Sequence, residues 1–107
     1  VPVPDQTVTG EAQKIPHIGW TALHPSANAH WNGTVLQNSK SGGAVYFVHS
    51  FMAAPTDPSH RVAEGVYGGH NIAAVIASGN IVGCQFHPEK SAEAGLQLLR
   101  NFCRWLG

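Results

Sequence analysis

The sequence predicts an α/β chain made mostly of short strands and closed by one C-terminal helix. Three observations carry that reading. Between residues 44 and 86, apolar runs of strand length are separated by glycine- and proline-bearing breaks. From Ser91 the apolar period lengthens to three and four residues, as a helix face requires. With 107 residues, 43% hydrophobic and 11% charged, the chain is sized for one soluble globular domain or one piece of a larger one.

Residues 1–14 hold two prolines, a glycine and mostly polar side chains without alternation, and read as a loop or tail ahead of a partial domain spanning 15–107. Ile15 to Leu23 is the first strand. His24 to Gly43 contains Pro25, Asn28, Asn32, Gly33 and the Lys40-Ser-Gly-Gly cluster, which is loop chemistry with room for one short helical turn. Ala44 to Ala53 is apolar at nearly every position and reads as a fully buried strand. After a loop from Pro55 to Ser59, three more short strands fit Arg61 to Tyr67, Ile72 to Ala77 and Ile81 to Phe86. Gly68-Gly69 and Ser78-Gly79-Asn80 turn the chain between them. Ser91 is a suitable N-cap for the helix, with Glu93 in its first turn and Arg100 and Arg104 in later turns to suit the dipole. Its apolar face is Gly95 or Leu96, Leu99, Phe102 or Cys103, and Leu106.

Composition excludes several partners. Six Lys and Arg balance six Asp and Glu, so the basic footprint that a phosphate backbone demands is missing and nucleic acid is not expected. No apolar run approaches the roughly 20 residues of a membrane span, and Val1-Pro-Val-Pro does not resemble a signal peptide. Two cysteines without framework spacing suit a reducing cytoplasm. Val1 is taken as an arbitrary start.

The most informative segment is Gly83-Cys-Gln-Phe-His-Pro-Glu-Lys-Ser91, where a buried strand runs into polar chemistry just before the helix. Side chains two apart on extended chain share a face, so His87 and Glu89 lie side by side if the extended geometry persists through Pro88. A carboxylate beside an imidazole orients the ring and stabilises its cation, which is what a base activating a thiol needs. That is two thirds of a triad. Cys84 falls on the opposite strand face and Cys103 on the helix stripe, so both read as core residues and the nucleophile must come from elsewhere.

At these residues the chain resembles a known family. Gln85-Phe-His-Pro-Glu-Lys-Ser91 is similar to the signature around the catalytic His and Glu of class I glutamine amidotransferases. Pro16-His-Ile-Gly-Trp20 and Tyr46-Phe-Val-His-Ser50 resemble, in order, segments of the glutaminase subunits of imidazole glycerol phosphate synthases. The resemblance runs from about Lys14 to the end. It implies the C-terminal portion of a flavodoxin-like domain, with His87 as general base and acid and Glu89 as its orienting carboxylate. It implies main-chain contacts from Ser50 and Phe51 to glutamine, and a docking surface for the synthase subunit around Trp20, Tyr46 and Lys90, near the ammonia exit. No metal or organic cofactor is implied. His17 and His49 sit inside the motifs but receive no chemistry.

The departures also matter. The family's glycine-flanked cysteine and the glycine-rich oxyanion segment before it do not occur in these residues, so roughly the first half of the domain is absent. Thr21 stands where the family often has Asn, which weakens the expectation for the partner surface. Taken alone, His87 and Glu89 would read as a strand-end pair, Trp20 and Tyr46 as aromatic packing, and Ser50 and Phe51 as plain strand residues. The seven histidines show no close pair at same-face spacing, so a metal site is not expected. Gly68-Gly69-His70 lacks the lysine and helix of a phosphate loop.

The expected parent activity is hydrolysis of glutamine to glutamate and ammonia for a partner synthase of histidine biosynthesis, with the present chain inactive alone. A rival is a non-catalytic binding or assembly protein that exposes the surface once packed on the missing half, as a homodimer or with a complementary chain. A third is a class I amidohydrolase acting on another γ-glutamyl amide. An in-frame cysteine motif in the upstream DNA would separate these.

Overall fold

A computed structural model describes residues 1–27 and 29–106, with side chains through Arg104. Asn28 of the predicted loop and the Leu106 side chain of the predicted helix stripe lie outside the described residues. The elements run β1 (His17–Ala22), β2 (His24–Pro25), β3 (Ala44–His49), β4 (Arg61–Tyr67), β5 (His70–Ser78), β6 (Ile81–Cys84) and α1 (Ala92–Leu106), with 3₁₀ turns at Pro58–His60 and Pro88–Lys90. No described helix is long and apolar enough to cross a membrane.

Two antiparallel sheets organise the described residues: the β1–β3 ladder, and a four-stranded sheet in the order β2-β4-β5-β6. Along β3, Val45, Phe47 and His49 turn inward while Ala44 and Val48 are exposed. The strand expected to be buried on both faces therefore has one covered face. On the open side of the β1–β3 ladder stand Ile18, Trp20 and Val48. Runs of consecutive apolar residues give a strand the potential to be covered twice, but burial needs something to cover it.

The core joins Phe47 and Val45 to Ile72 and Val75 of β5, Val62 of β4, Phe86, Leu98 of α1, and Val35 and Leu36 from the loop after β2. Each large side chain withdrawn from water contributes about 1.5–3 kcal/mol. The loop predicted over His24 to Gly43 hides β2, whose two residues pair with Glu64 and Ala63 of β4. The first residues dock on the β4–β5 turn, where the Val8 N–H donates to the Gly68 carbonyl at 2.9 Å. Gly68 and Gly69 have φ of +59° and +83°, a left-handed turn that side chains resist.

The helix face lies about one position from the predicted stripe. Gly95, Leu98 and Asn101 are buried, whereas Leu96, Leu99 and Cys103 are exposed, so Cys103 is not a core residue. The reason is polar: Asn101 donates to the Val35 carbonyl at 2.8 Å and to the Gln37 carbonyl at 2.7 Å. Satisfying the buried Val35 acceptor and the part-buried Gln37 acceptor rotates the helix toward an asparagine that a hydrophobic pattern does not count. Gly95 also sits so close to the Pro88–Lys90 turn that a Cβ there would lie 1.9 Å from the Pro88 carbonyl oxygen.

Candidate active site

β6 ends at Cys84, and Gln85 to His87 continue toward the turn. His87 is extended, with φ −97° and ψ 101°, and its N–H donates to the Tyr46 carbonyl at 3.0 Å, tying the segment to β3. Pro88 then starts the 3₁₀ turn. The carboxylate of Glu89 meets the ring through this turn, with Nδ1 of His87 3.0 Å from Oε1, so extended alternation through Pro88 is not what brings the two together.

Ser91 braces the arrangement. Its hydroxyl donates to the His87 carbonyl at 2.6 Å and accepts from the Tyr46 N–H at 3.0 Å. The predicted N-cap role is thereby displaced: the side chain locks the turn to β3, although the helix does begin at the next residue. That residue, Ala92, has φ +49°, a left-handed value costing roughly 1–2 kcal/mol for a non-glycine residue. Strain of this kind persists where surrounding contacts over-determine the backbone.

His87 and Glu89 are partly open to solvent, at 40% and 59% side-chain exposure. Glu89 is held below the usual carboxylate range, first by its own backbone N–H, then by the His87 hydrogen bond, with the charges of His87 and Lys90 adding to this. An ionised Glu89 is only an acceptor, so Nδ1 of His87 carries a proton and Nε2 is left as the basic atom. Neither cysteine hydrogen-bonds to His87 among the described residues. Cys84 lies partly buried against the core beside a cavity of about 110 Å³, and burial pushes its thiol up to about 11. A thiol so protonated is a poor nucleophile.

Trp20 and Tyr46 are cross-strand partners on the open face of the β1–β3 ladder, their rings edge-on at 5.8 Å. Tyr46 and Lys90 both adjoin His87 through the main chain, since the Lys90 N–H donates to the His87 carbonyl at 3.0 Å. The structure therefore gathers Trp20, Tyr46, Lys90, His87 and Glu89 into one region. Ser50 and Phe51 follow the far end of β3, four and five residues beyond Tyr46, or roughly 13–17 Å at about 3.3 Å per residue. They make no hydrogen bond to His87 or Glu89 among the described residues.

Another pair escaped sequence reasoning. His17 and His49 occupy opposite positions in the β1–β3 register and face inward, with Nδ1 of His17 2.8 Å from Nε2 of His49. The expectation of no close histidine pair fails because spacing along the chain carries no sign of a pair that forms across a ladder. Two inward histidines on adjacent predicted strands were the available signal. Thr21 closes on Nε2 of His17 at 3.1 Å, so this side chain belongs to the interior cluster. Among the described residues, no three His, Cys, Asp or Glu side chains gather as a metal centre requires.

Comparison with known proteins adds an independent observation. The family model described as glutamine amidotransferase class-I matches residues 6–105. The imidazole glycerol phosphate synthase subunit HisH 1 of Legionella pneumophila (strain Lens) is 50% identical over 103 residues, covering 95% of this chain and 48% of that protein. The HisH subunit of Rhodospirillum rubrum is 49% identical over 94 residues, covering 88% of this chain and 42% of its own length. That of Thermosynechococcus vestitus is 49% identical over 90 residues, with 82% and 41% covered. The chain spans about half the length of the curated relatives it matches.

Proposed function

Because the chain belongs to the class-I glutamine amidotransferase family, we propose that it is the C-terminal half of the glutaminase subunit of an imidazole glycerol phosphate synthase. In this reading the complete subunit hydrolyses glutamine to glutamate and ammonia, and a synthase partner uses the ammonia in histidine biosynthesis. The observation that carries it is the 3.0 Å contact between His87 and Glu89 on a turn braced by Ser91, which leaves Nε2 free of protein partners among the described residues.

The chemistry follows from that free nitrogen. A cysteine supplied from outside these 107 residues gives its proton to Nε2 of His87, and the thiolate attacks the side-chain amide carbon of glutamine. His87 returns the proton to the leaving nitrogen, releasing ammonia and a γ-glutamyl thioester. Water, deprotonated by His87, then attacks the thioester, yielding glutamate and restoring the thiol. Glu89 keeps the ring oriented and offsets its positive charge at each transfer. Ser50 and Phe51 present main chain to the glutamine, and Trp20, Tyr46 and Lys90 face the synthase. The chemistry calls for no metal or organic cofactor, and a biosynthetic enzyme with two free thiols fits the cytoplasm.

The test is complementation. The chain alone should release no glutamate from glutamine. A chimera joining the N-terminal half of the Legionella pneumophila relative to this chain should turn over, and His87→Ala should reduce that turnover by about 10²–10⁴. Turnover by the chain alone, or an undiminished His87→Ala chimera, would overturn the assignment. The open face of Ile18, Trp20 and Val48 favours a second reading, a non-catalytic assembly protein that covers this surface as a homodimer. Light scattering at tens of micromolar separates them: a monomer that associates only with the complementary half supports the glutaminase.

A further inference from the structure

One buried cluster of titratable side chains takes no part in the chemistry above. His17 is only 2% exposed, and its ring lies against Phe47 and Tyr67 with centroids 4.9 and 4.1 Å away. Its Nδ1 meets Nε2 of His49 at 2.8 Å, and Nδ1 of His49 meets the Phe51 carbonyl at 2.9 Å. At the other end, Nε2 of His17 meets the Thr21 hydroxyl at 3.1 Å.

Hydrogen-bond logic orders this chain. The Phe51 carbonyl only accepts, so Nδ1 of His49 bears the proton. With the rings neutral, Nε2 of His49 is bare and must accept, which puts the proton of His17 on Nδ1. Nε2 of His17 then accepts from Thr21, and every polar atom is satisfied. Burial, and secondarily His49, hold the His17 imidazole down at about 4, which keeps this order at neutral pH. The stretch beyond is pinned on its other side: the Val3 N–H donates to the Ser50 carbonyl at 2.9 Å and the Met52 N–H to the Val1 carbonyl at 2.7 Å. An open groove of about 660 Å³ runs beside it, lined by Val3, Asp5, Ile15, Ser50 and Phe51 among others.

We propose that His17 and His49 are positioning residues: their paired imidazoles, anchored on Thr21, hold the Phe51 carbonyl toward the protein interior and so set the Ser50–Phe51 main chain for glutamine. This rests on the reading of Ser50 and Phe51 as substrate contacts. The imidazoles touch no reacting atom. What they supply is order in a segment just beyond a strand end, where main chain is otherwise free to turn.

Two measurements test it. In the unmutated chain, long-range ¹H–¹⁵N correlation in a window of about pH 7.5 to 8.5 should show the proton of each ring on Nδ1 and Nε2 bare. A proton on Nε2 of His49 in that window overturns the relay. In the chimeric glutaminase, His49→Leu should raise KM for glutamine about tenfold, with kcat changed much less. His49→Asn, whose amide nitrogen falls near Nδ1, should restore KM, whereas His49→Gln, which places it near Nε2, should not. Equal KM in all three variants, or losses that simply track thermal stability, would overturn the proposal. Should His87→Ala fail to reduce turnover, the glutaminase reading itself falls. Should His87→Ala abolish turnover while His49→Leu and His49→Asn behave alike, only the relay falls.

Discussion

Glu89 accepts from Nδ1 of His87, so in the proposed glutaminase the work of a general base falls to the other nitrogen of this partly exposed ring. Replacing Glu89 by Gln removes the negative charge while keeping the shape, and should lower chimera turnover on the order of a hundredfold by letting the ring choose the wrong tautomer. Steady-state kinetics with glutamine reads this directly. Because Glu89 stays ionised below the ordinary carboxylate range, its contribution is present above that range and is lost only as pH falls through the lowered value. The two cysteines make a contrasting pair: Cys103 is exposed, and Cys84 is partly buried with its thiol near 11. A maleimide at neutral pH should label Cys103 and spare Cys84 in the folded chain, as mass spectrometry of the digest would show. Both thiols were expected in the core. Cys103 departs because the buried face of its helix follows Asn101.

The helix α1 and the Pro88–Lys90 turn behave as one unit. Gly95 allows the helix to press on the Pro88 carbonyl, so the methyl of Gly95→Ala, 1.9 Å from that oxygen, must displace the backbone of the turn that carries His87 and Glu89. The expected cost is about 1–3 kcal/mol in urea unfolding, with a further loss of chimera turnover beyond what unfolding explains. At the other end of the helix, Asn101→Leu leaves the Val35 and Gln37 carbonyls without their shared donor, for about 1–3 kcal/mol. Element positions were largely legible from the sequence: β4 spans the predicted Arg61–Tyr67, and β5, β6 and α1 lie within a few residues of their expected places. The strand β2 was not legible, because two residues of which one is proline carry no periodicity, and only pairing with β4 makes them a strand.

Across the molecule, the interior around β1 and β3 couples stability to pH. The His17 imidazole falls from 6.5 to about 4 on folding, so the native state prefers it neutral. That preference is fully present above pH 6.5 and is lost as pH drops toward 4, the loss by then amounting to about 3 kcal/mol. Urea midpoints at pH 7 and pH 4.5 should differ accordingly, and His17→Phe should flatten this part of the dependence. The opposite face of the same ladder is open: Trp20 is 56% exposed with Tyr46 beside it. Trp20→Ala should cost about 1 kcal/mol or less of stability, and in the proposed glutaminase should weaken docking on the synthase partner about tenfold or more by calorimetry. The nearness of His87 to Glu89 could be read from adjacent residues alone, since strand and turn stereochemistry both keep side chains two positions apart close together. The same holds for the C-terminal helix and for the glycine turns. The pairing of His17 with His49, 32 positions apart, the rotation of α1 toward Asn101 and the use of Ser91 as a brace rather than a cap came from elsewhere. Each depends on which buried donor finds which acceptor across a ladder or a packed interface, and that is a property of two segments meeting, which neither segment encodes by itself.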